Sequence, residues 1–331
     1  MKFSIIIPVF NRPDEVAELL ESLTKQTDKG FEVLVIEDGS SVPCEDICKQ
    51  YENKLDLHYY FKPNSGRSET RNYGMDRASG DWFIIYDSDV IVPPQYIATV
   101  RAELEKNPVD CYGGPDAADD SFSDVQKAIN YSMTSIMTTG GIRGATKNKA
   151  KFSPRSFNMG ISRKCYLEVG GYKNMIGEDI DMSIRIQQAG FRTTLIPEAY
   201  VYHKRRVDLV KFFRQVNTFG KGRVLLGELH PGSLKLVHLM PAAFVIGNVT
   251  LVLAALVLSP FAIRLSALCM APIVLYVLGI FCESLVKNRS LKIALLSIAT
   301  AYMQLFGYGT GFLGECITHK ARKKKQEELY K

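Results

Sequence analysis

The pattern of apolar and polar positions changes character near residue 233. Before it, short apolar runs alternate with polar segments of helical spacing; after it, residues 236–314 carry almost no charge. Phe3 to Phe10 is apolar and rich in β-branched residues and stops at Asn11-Arg12-Pro13, which predicts a buried strand and a loop. Pro13 opens a helix with Val16, Leu19, Leu20 and Leu23 on one face. Phe31 to Ile36 predicts a second strand, ended by Glu37-Asp38-Gly39-Ser40-Ser41. A helix over Glu45 to Glu52, a strand over Leu57 to Phe61, a helix over Ser68 to Ala78 and a strand over Trp82 to Tyr86 follow. Strands alternating with helices at this spacing predict a mostly parallel α/β sheet. In such sheets ligands sit beyond the carboxyl ends of the strands, where Asn11, Asp38 and Asp87 to Asp89 fall.

From Asp116 to Ser156 the pattern loosens. An acidic stretch, a helix over Val125 to Thr138, Gly140-Gly141 and a basic run from Arg143 to Lys151 read as an active-site loop that orders on binding. Regularity returns at Phe157 with a strand and a helix. Gly177-Glu178-Asp179 opens another helix to about Ala189, and strands follow near Thr193 to Ile196 and Tyr200 to Tyr202.

Three apolar runs come next. Leu236 to Leu258 has no formal charge and as a helix reaches roughly 34 Å, enough for a hydrocarbon core. Leu265 to Cys282 is the second. Ile293 to Gly314 is softer, with Gln304 and glycines at 307, 309, 311 and 314. Lys287, Arg289 and Lys292 after the second run make the first two a hairpin with both outer ends cytoplasmic. The tail after the third run is also basic, which favours a re-entrant or interfacial third segment; a third span is the alternative. This gives a catalytic domain over 1–225, membrane helices over 226–318 and a basic cytoplasmic tail over 319–331.

Charge and cysteines refine that picture. The net charge of +6 is modest, but the basic residues crowd beside the apolar region, which suits anionic lipid headgroups better than nucleic acid. The seven cysteines show no CxxC or zinc-like spacing and read as reduced thiols. The first residues run straight into a strand, without a signal-peptide pattern. Together these place the chain in the inner, cytoplasmic membrane with its catalytic domain in the cytoplasm.

Asp87-Ser88-Asp89 follows a strand, and two carboxylates on alternating residues can hold a hard divalent cation that in turn holds a diphosphate. Alone, such a pair is most often a solvated turn. Asp38 can accept from a base N–H or simply form an Asp-Gly turn. Glu178 and Asp179 either complement a helix N-terminus or supply a general base kept ionised there. His203 becomes a ligand candidate only if it folds back beside Asp89. No GxxxxGK[ST] or GxSxG occurs, and no GxGxxG accompanies the Gly39-Ser40-Ser41 turn, which removes support for NTPase, hydrolase and dehydrogenase chemistry.

Six short motifs then stand in order: Ser4 to Asn11, Val35 to Ser40, Gly66 to Gly74, Asp87-Ser88-Asp89, Asn158-Met159-Gly160 and Gly177-Glu178-Asp179. With these, residues 1 to about 225 resemble family 2 glycosyltransferases of the GT-A fold, a Rossmann-like, mostly parallel mixed sheet flanked by helices. The resemblance implies a nucleoside pocket lined by Pro8, Phe10, Asn11 and Asp38, with Asp38 reading the base and Arg71 near the phosphates. It implies a Mg²⁺ or Mn²⁺ site at Asp87 and Asp89 completed by His203, with Asp87 also on the nucleotide side. Asp179 would be the base, and Asn158, Gly160 and Glu178 would face the acceptor. Glu37 departs from the family's usual Asp, and Glu69 and Thr70 replace smaller residues. QxxRW is missing, so the resemblance points to a hexosyltransferase adding one sugar rather than to a polymer synthase.

The expected reaction is inverting transfer from a nucleotide diphosphate donor, a UDP-sugar first, to a lipid-linked or membrane-surface acceptor in glycan biosynthesis. A nucleotidyltransferase or a noncatalytic membrane scaffold would share much of this sequence. Pyrophosphate release would mark the former; a scaffold has no need of Asp38, Asp87, Asp89 and Asp179 together.

Overall fold

The computed structural model describes residues 1–117, 122–140, 152–203 and 208–329, with side chains as far as residue 320. Its elements, in chain order, begin with β1 (Phe3–Val9), α1 (Pro13–Thr24), β2 (Phe31–Asp38), α2 (Glu45–Lys49), β3 (Leu57–Lys62), α3 (Arg67–Arg77), β4 (Trp82–Tyr86), β5 (Val90–Ile91), α4 (Tyr96–Lys106), β6 (Cys111–Gly113) and β7 (Asp116–Ala117). There follow α5 (Asp124–Thr134), α6 (Ile136–Thr139), β8 (Asn158–Ser162), α7 (Arg163–Val169), α8 (Glu178–Gln188), β9 (Thr193–Leu195) and β10 (Val201–His203). Four long helices close the chain: α9 (Leu209–Leu229), α10 (Leu236–Leu258), α11 (Ile263–Asn288) and α12 (Leu291–Leu329).

These elements form two compact units, one of Met1–Asp119 with Thr146–Lys204, the other of Asp120–Ala145 with Arg205–Lys331. The first holds a seven-stranded sheet in the order β3-β2-β1-β4-β8-β6-β9. β1 pairs in parallel with β2 and β4, and β2 with β3, while β8 runs antiparallel to β4 and β6. Strand alternation explains why the central strands read as continuous apolar runs. Ile5, Ile7, Val33, Val35 and Ile84 point into one core; Ile6, Leu34, Ile36, Phe83 and Ile85 point into the other. Each strand is therefore covered on both faces. Asp38 is the last residue of β2, and Asn11 and Asp87 follow the carboxyl ends of β1 and β4, as their positions after apolar runs predict.

A second, three-stranded sheet in the order β5-β10-β7 lies in the same unit. β5 and β10 pair antiparallel with His203 opposite Val90. That two-residue ladder turns the chain end of this unit back beside Asp89. The strand expected near Tyr200 to Tyr202 is β10, but periodicity is blind to a partner as short as β5.

The second unit differs from the sequence reading in the elements it gathers and in its third apolar run. The helix expected over Val125 to Thr138 is present as α5 and α6, but it belongs to this unit: α5 packs Ile129 and Met133 against Phe212 and Val216 of α9, and Tyr131 against Ile280 and Ala301. Gly141 and the basic run Arg143–Lys151 lie outside the described residues, as does Lys204-Arg205-Arg206. α9, placed by the sequence reading mostly within the first domain, groups instead with the apolar helices. The third apolar run is not broken as a re-entrant segment would be. α12 is one continuous helix through its glycines, and Gly307, Gly309 and Gly311 are contact points. A Cβ at Gly309 would lie 2.4 Å from the Pro241 carbonyl oxygen, and one at Gly311 would lie 2.1 Å from that of Asn217. Small residues let helix backbones approach closely where no water-driven force holds helices together. Three helices, Leu236–Leu258, Ile263–Asn288 and Leu291–Lys320, are long and apolar enough to cross a membrane.

Candidate active site

The loops after β1 and β2 are stitched together by Asn11. Its backbone takes φ 54°, a left-handed conformation that Asn tolerates better than most residues. That turn lets its Oδ1 accept from the N–H groups of Ser41 at 2.8 Å and Val42 at 3.1 Å, while its own N–H donates to Ser40 Oγ at 2.7 Å. Ser40 in turn donates to Glu37, whose other oxygen accepts the Cys44 N–H at 2.8 Å. The longer Glu at position 37 thus reaches two partners and anchors this turn. Pro8 is half-buried and Phe10 exposed at the same edge.

Asp38 is buried and already engaged. It pairs with Lys62, its register neighbour on β3, and accepts the N–H groups of Ser65 at 2.9 Å and Gly66 at 3.0 Å. Burial alone would raise its pKa, but Lys62 and these N–H donors outweigh it and hold the carboxyl below its ordinary range. The carboxylate fastens the segment that opens α3, with one oxygen carrying a single N–H.

Arg71 on α3 forms the spine of the site. Its Nη1 donates to Glu178 Oε1 at 2.9 Å and its Nη2 to Asp87 Oδ1 at 3.0 Å, with the Tyr172 ring beside the guanidinium. Burial opposes its charge, but Asp87, Tyr172 and Glu178 more than compensate and raise its pKa. Glu178 also accepts from Arg67 at 2.7 Å, so two arginines occupy both of its oxygens. Asn158 and Gly160 lie in the interior on β8. The Asn158 amide oxygen accepts from the Tyr96 hydroxyl, and its NH₂ donates to the Ala199 carbonyl at 2.9 Å. A Cβ at Gly160 would strike the Tyr112 ring.

Asp87, Asp89 and His203 converge, each offering one ligand atom, with those atoms within 4.8 Å of one another. His203 Nε2 lies 3.2 Å from Asp89 Oδ1, the imidazole stacks on Phe157, and its Nδ1 is buried with no hydrogen-bond partner among the described residues. Arg12 donates to the other Asp89 oxygen at 3.1 Å. Two carboxylates and one imidazole fit Mg²⁺ or Mn²⁺, and the nitrogen suits Mn²⁺ better of the two.

Asp179 is the second residue of α8, just after Gly177 at φ 81°. Its Oδ2 accepts from Arg155 Nε at 2.6 Å and its Oδ1 from the Ile180 N–H at 2.9 Å. Burial pushes its pKa up, but Arg155, Arg71 and the Ile180 N–H together hold it below the ordinary carboxylate range. The helix N-terminus acts in the same direction.

The sequence reading omitted Arg12, Lys62, Arg67 and Arg155. Arg12 adjoins Asn11, and Arg67 lies in the Gly66–Gly74 motif, one helical turn before Arg71. Lys62 is identified by strand register, and Arg155 by tertiary placement alone.

Comparison with known proteins agrees with this geometry. The family model described as glycosyl transferase family 2 matches residues 4–169. An uncharacterized glycosyltransferase of Haemophilus influenzae is 28% identical over 213 residues, 60% of this chain and 67% of that protein. Another from Rickettsia bellii is 38% identical over 88 residues, 27% of this chain and only 13% of its own length. In fold, the chain is similar to a mannosyltransferase from Pyrobaculum calidifontis solved with GDP-Man and Mn²⁺, with a TM-score of 0.60 at 14% identity over 94% of this chain and 87% of that one. The motifs at the strand ends, the mixed GT-A-type sheet and the family match agree: this chain belongs to glycosyl transferase family 2.

Proposed function

We propose that the protein transfers one sugar from a nucleoside diphosphate donor to a membrane-held acceptor, with inversion at the anomeric carbon. The observation that carries this reading is the convergence of Asp87, Asp89 and His203, joined through Arg71 and Glu178 to the neighbouring Asp179. Mg²⁺ or Mn²⁺ bound by the first three residues supplies positive charge to the departing diphosphate. Arg71 keeps Asp87 and Glu178 in register. Pro8, Phe10 and the Asn11–Ser40 turn line the nucleoside pocket, with Asp38 as its floor. Asp179, held ionised at the α8 N-terminus, accepts the proton of an acceptor hydroxyl as that oxygen attacks the anomeric carbon.

The three apolar helices and the basic residues around them support an acceptor on a lipid carrier. By the positive-inside rule, Lys287, Arg289 and Lys292 support a cytoplasmic α11–α12 junction, with the catalytic unit on the same side of the membrane. With α12 as a third full span, the basic tail would lie across the membrane from that junction.

The test is binding of UDP, GDP, dTDP and CMP to the detergent-purified chain, with and without Mn²⁺ or Mg²⁺, beside Asp89→Ala. Metal-dependent binding of one nucleoside diphosphate, lost in the variant, is the expected result and directs the sugar screen. Absence of metal-dependent binding to all four would remove the donor reading.

A further inference from the structure

Asp179 poses a chemical problem. A general base must offer an oxygen about 2.6–3.2 Å from the hydroxyl it deprotonates. Both oxygens of Asp179 are engaged, Oδ1 by the Ile180 N–H and Oδ2 by Arg155 Nε at 2.6 Å. The first contact belongs to the helix start. The second places an N–H donor where an acceptor O–H must arrive. We propose that Arg155 sets the choice between acceptor and water, its Nε–H covering the proton-accepting oxygen of Asp179 until an acceptor hydroxyl displaces it. This rests on Asp179 being the base.

Burial decides which partner moves. The Arg155 side chain is 30% exposed and that of Asp179 is 11% exposed. Arg71 is clamped from two sides by Glu178 and Asp87, whereas the only ion pair of Arg155 among the described residues is with Asp179. The other charged or titratable groups that face the pair are Arg71 on α3, Glu178 beside it, Asp116 on β7 and Tyr172. None of them hydrogen-bonds to Asp179 Oδ2.

The chemistry balances for either nucleophile. In transfer, the acceptor O–H gives its proton to Oδ2, the acceptor oxygen bonds to the anomeric carbon, and the carbon–oxygen bond to the diphosphate breaks. The nucleoside diphosphate leaves with the electron pair. With water as nucleophile the same step yields free sugar, nucleoside diphosphate and the same proton on Asp179. A guanidinium cannot take that proton. While Arg155 covers Oδ2 neither reaction proceeds, and water is too small to supply the contacts that move it.

The experiment uses the full chain in detergent with Mn²⁺ and no acceptor. It measures nucleoside diphosphate release from sugar donors of whichever nucleotide binds. Arg155→Gln is expected to raise this hydrolysis about tenfold or more, up to the 10²–10⁴-fold that a positioned base supplies. The acid limb of its pH profile should also move upward, because the carboxylate loses its cation. A side chain that merely supports the fold would not move that limb. Arg155→Lys should give a smaller rise, and Arg155→Gln combined with Asp179→Asn should give none. If Arg155→Gln loses nucleotide binding, the Lys variant decides. Unchanged or lower hydrolysis in a variant that still binds nucleotide overturns the role of Arg155 and leaves the glycosyltransferase reading intact. Failure of the unaltered protein to bind any nucleotide with metal overturns that reading first.

Discussion

Asp87, Asp89 and His203 form one corner of the site, and Arg71, Glu178 and Asp179 form the other. Both pair carboxylates with arginines, and burial singles out one pair, Arg71 with Glu178, since Asp179 at 11% exposed with Arg155 at 30% matches Asp89 at 14% with Arg12 at 31%. Asp87 keeps 35% of its side chain exposed, and Arg12, which faces Asp89, keeps 31%. Arg71 and Glu178 keep 3% each. An exposed pair is worth about 0–1 kcal/mol and yields readily to a competing cation. A buried pair fixes geometry, because removing one partner strands a charge away from water. The first corner is therefore open to an incoming ligand, whereas the Arg71–Glu178 pair closes the second and holds the start of α8 in place.

The largest effect expected from this contrast is at Asp179. Asp179→Asn should lower turnover by about 10²–10⁴-fold while metal-dependent nucleotide binding persists. Sugar transfer assays beside calorimetry separate the two, and equal losses in both would end the role of Asp179 as base. Next is Arg71→Met, which leaves Glu178 buried with only Arg67. It should cost about 3–5 kcal/mol of stability, read from denaturant unfolding of the purified chain. A cost under about 1 kcal/mol would mean that this corner is as open as the other.

How much of this could be read from sequence differs between the same two corners. Asp87, Asp89 and Asp179 follow recognisable strand or helix starts, so local pattern locates them. His203 was a candidate conditional on folding back, and the β5–β10 ladder provides that fold. Arg155 sits just past a segment without periodicity, and its partner comes from α8, so no local signal points to it. The two-layered core was legible because each strand alternates into both faces. The helical unit was legible only as apolar length. Its packing depends on which faces of α12 meet α9 and α10, and an all-round apolar helix carries no moment to show that. The helix α5 was legible as a helix over Val125 to Thr138, but not its partners: nothing local shows that its Ile129, Tyr131 and Met133 are covered by α9, α11 and α12.

At the open corner, His203→Ala should weaken Mn²⁺ binding by about tenfold or more, since loss of even an outer partner of a metal ligand costs 10–100-fold. The measurement is Mn²⁺ titration in the presence of saturating nucleotide, with stability followed separately. Unchanged affinity would leave Asp87 and Asp89 as the only protein ligands and reduce His203 to a packing partner of Phe157.

The smallest effect separates two meanings of Arg12. Its guanidinium donates to Asp89 Oδ2 at 3.1 Å and lies 3.4 Å from Glu15, both in partly exposed geometry. Arg12→Ala should therefore change stability by no more than about 1 kcal/mol. If Arg12 only fills the charge of Asp89 until a cation arrives, its removal takes one competing cation away from that carboxylate, and Mn²⁺ without nucleotide should bind slightly more tightly. If Arg12 instead turns to the diphosphate once the metal is bound, Mn²⁺ affinity alone stays nearly unchanged and nucleotide affinity falls. Titrating the metal and the nucleotide separately on the same variant distinguishes the two. Loss of Mn²⁺ affinity in the absence of nucleotide fits neither meaning, and would show that this arginine orders Asp89 and that the open corner is more preorganised than its exposure indicates.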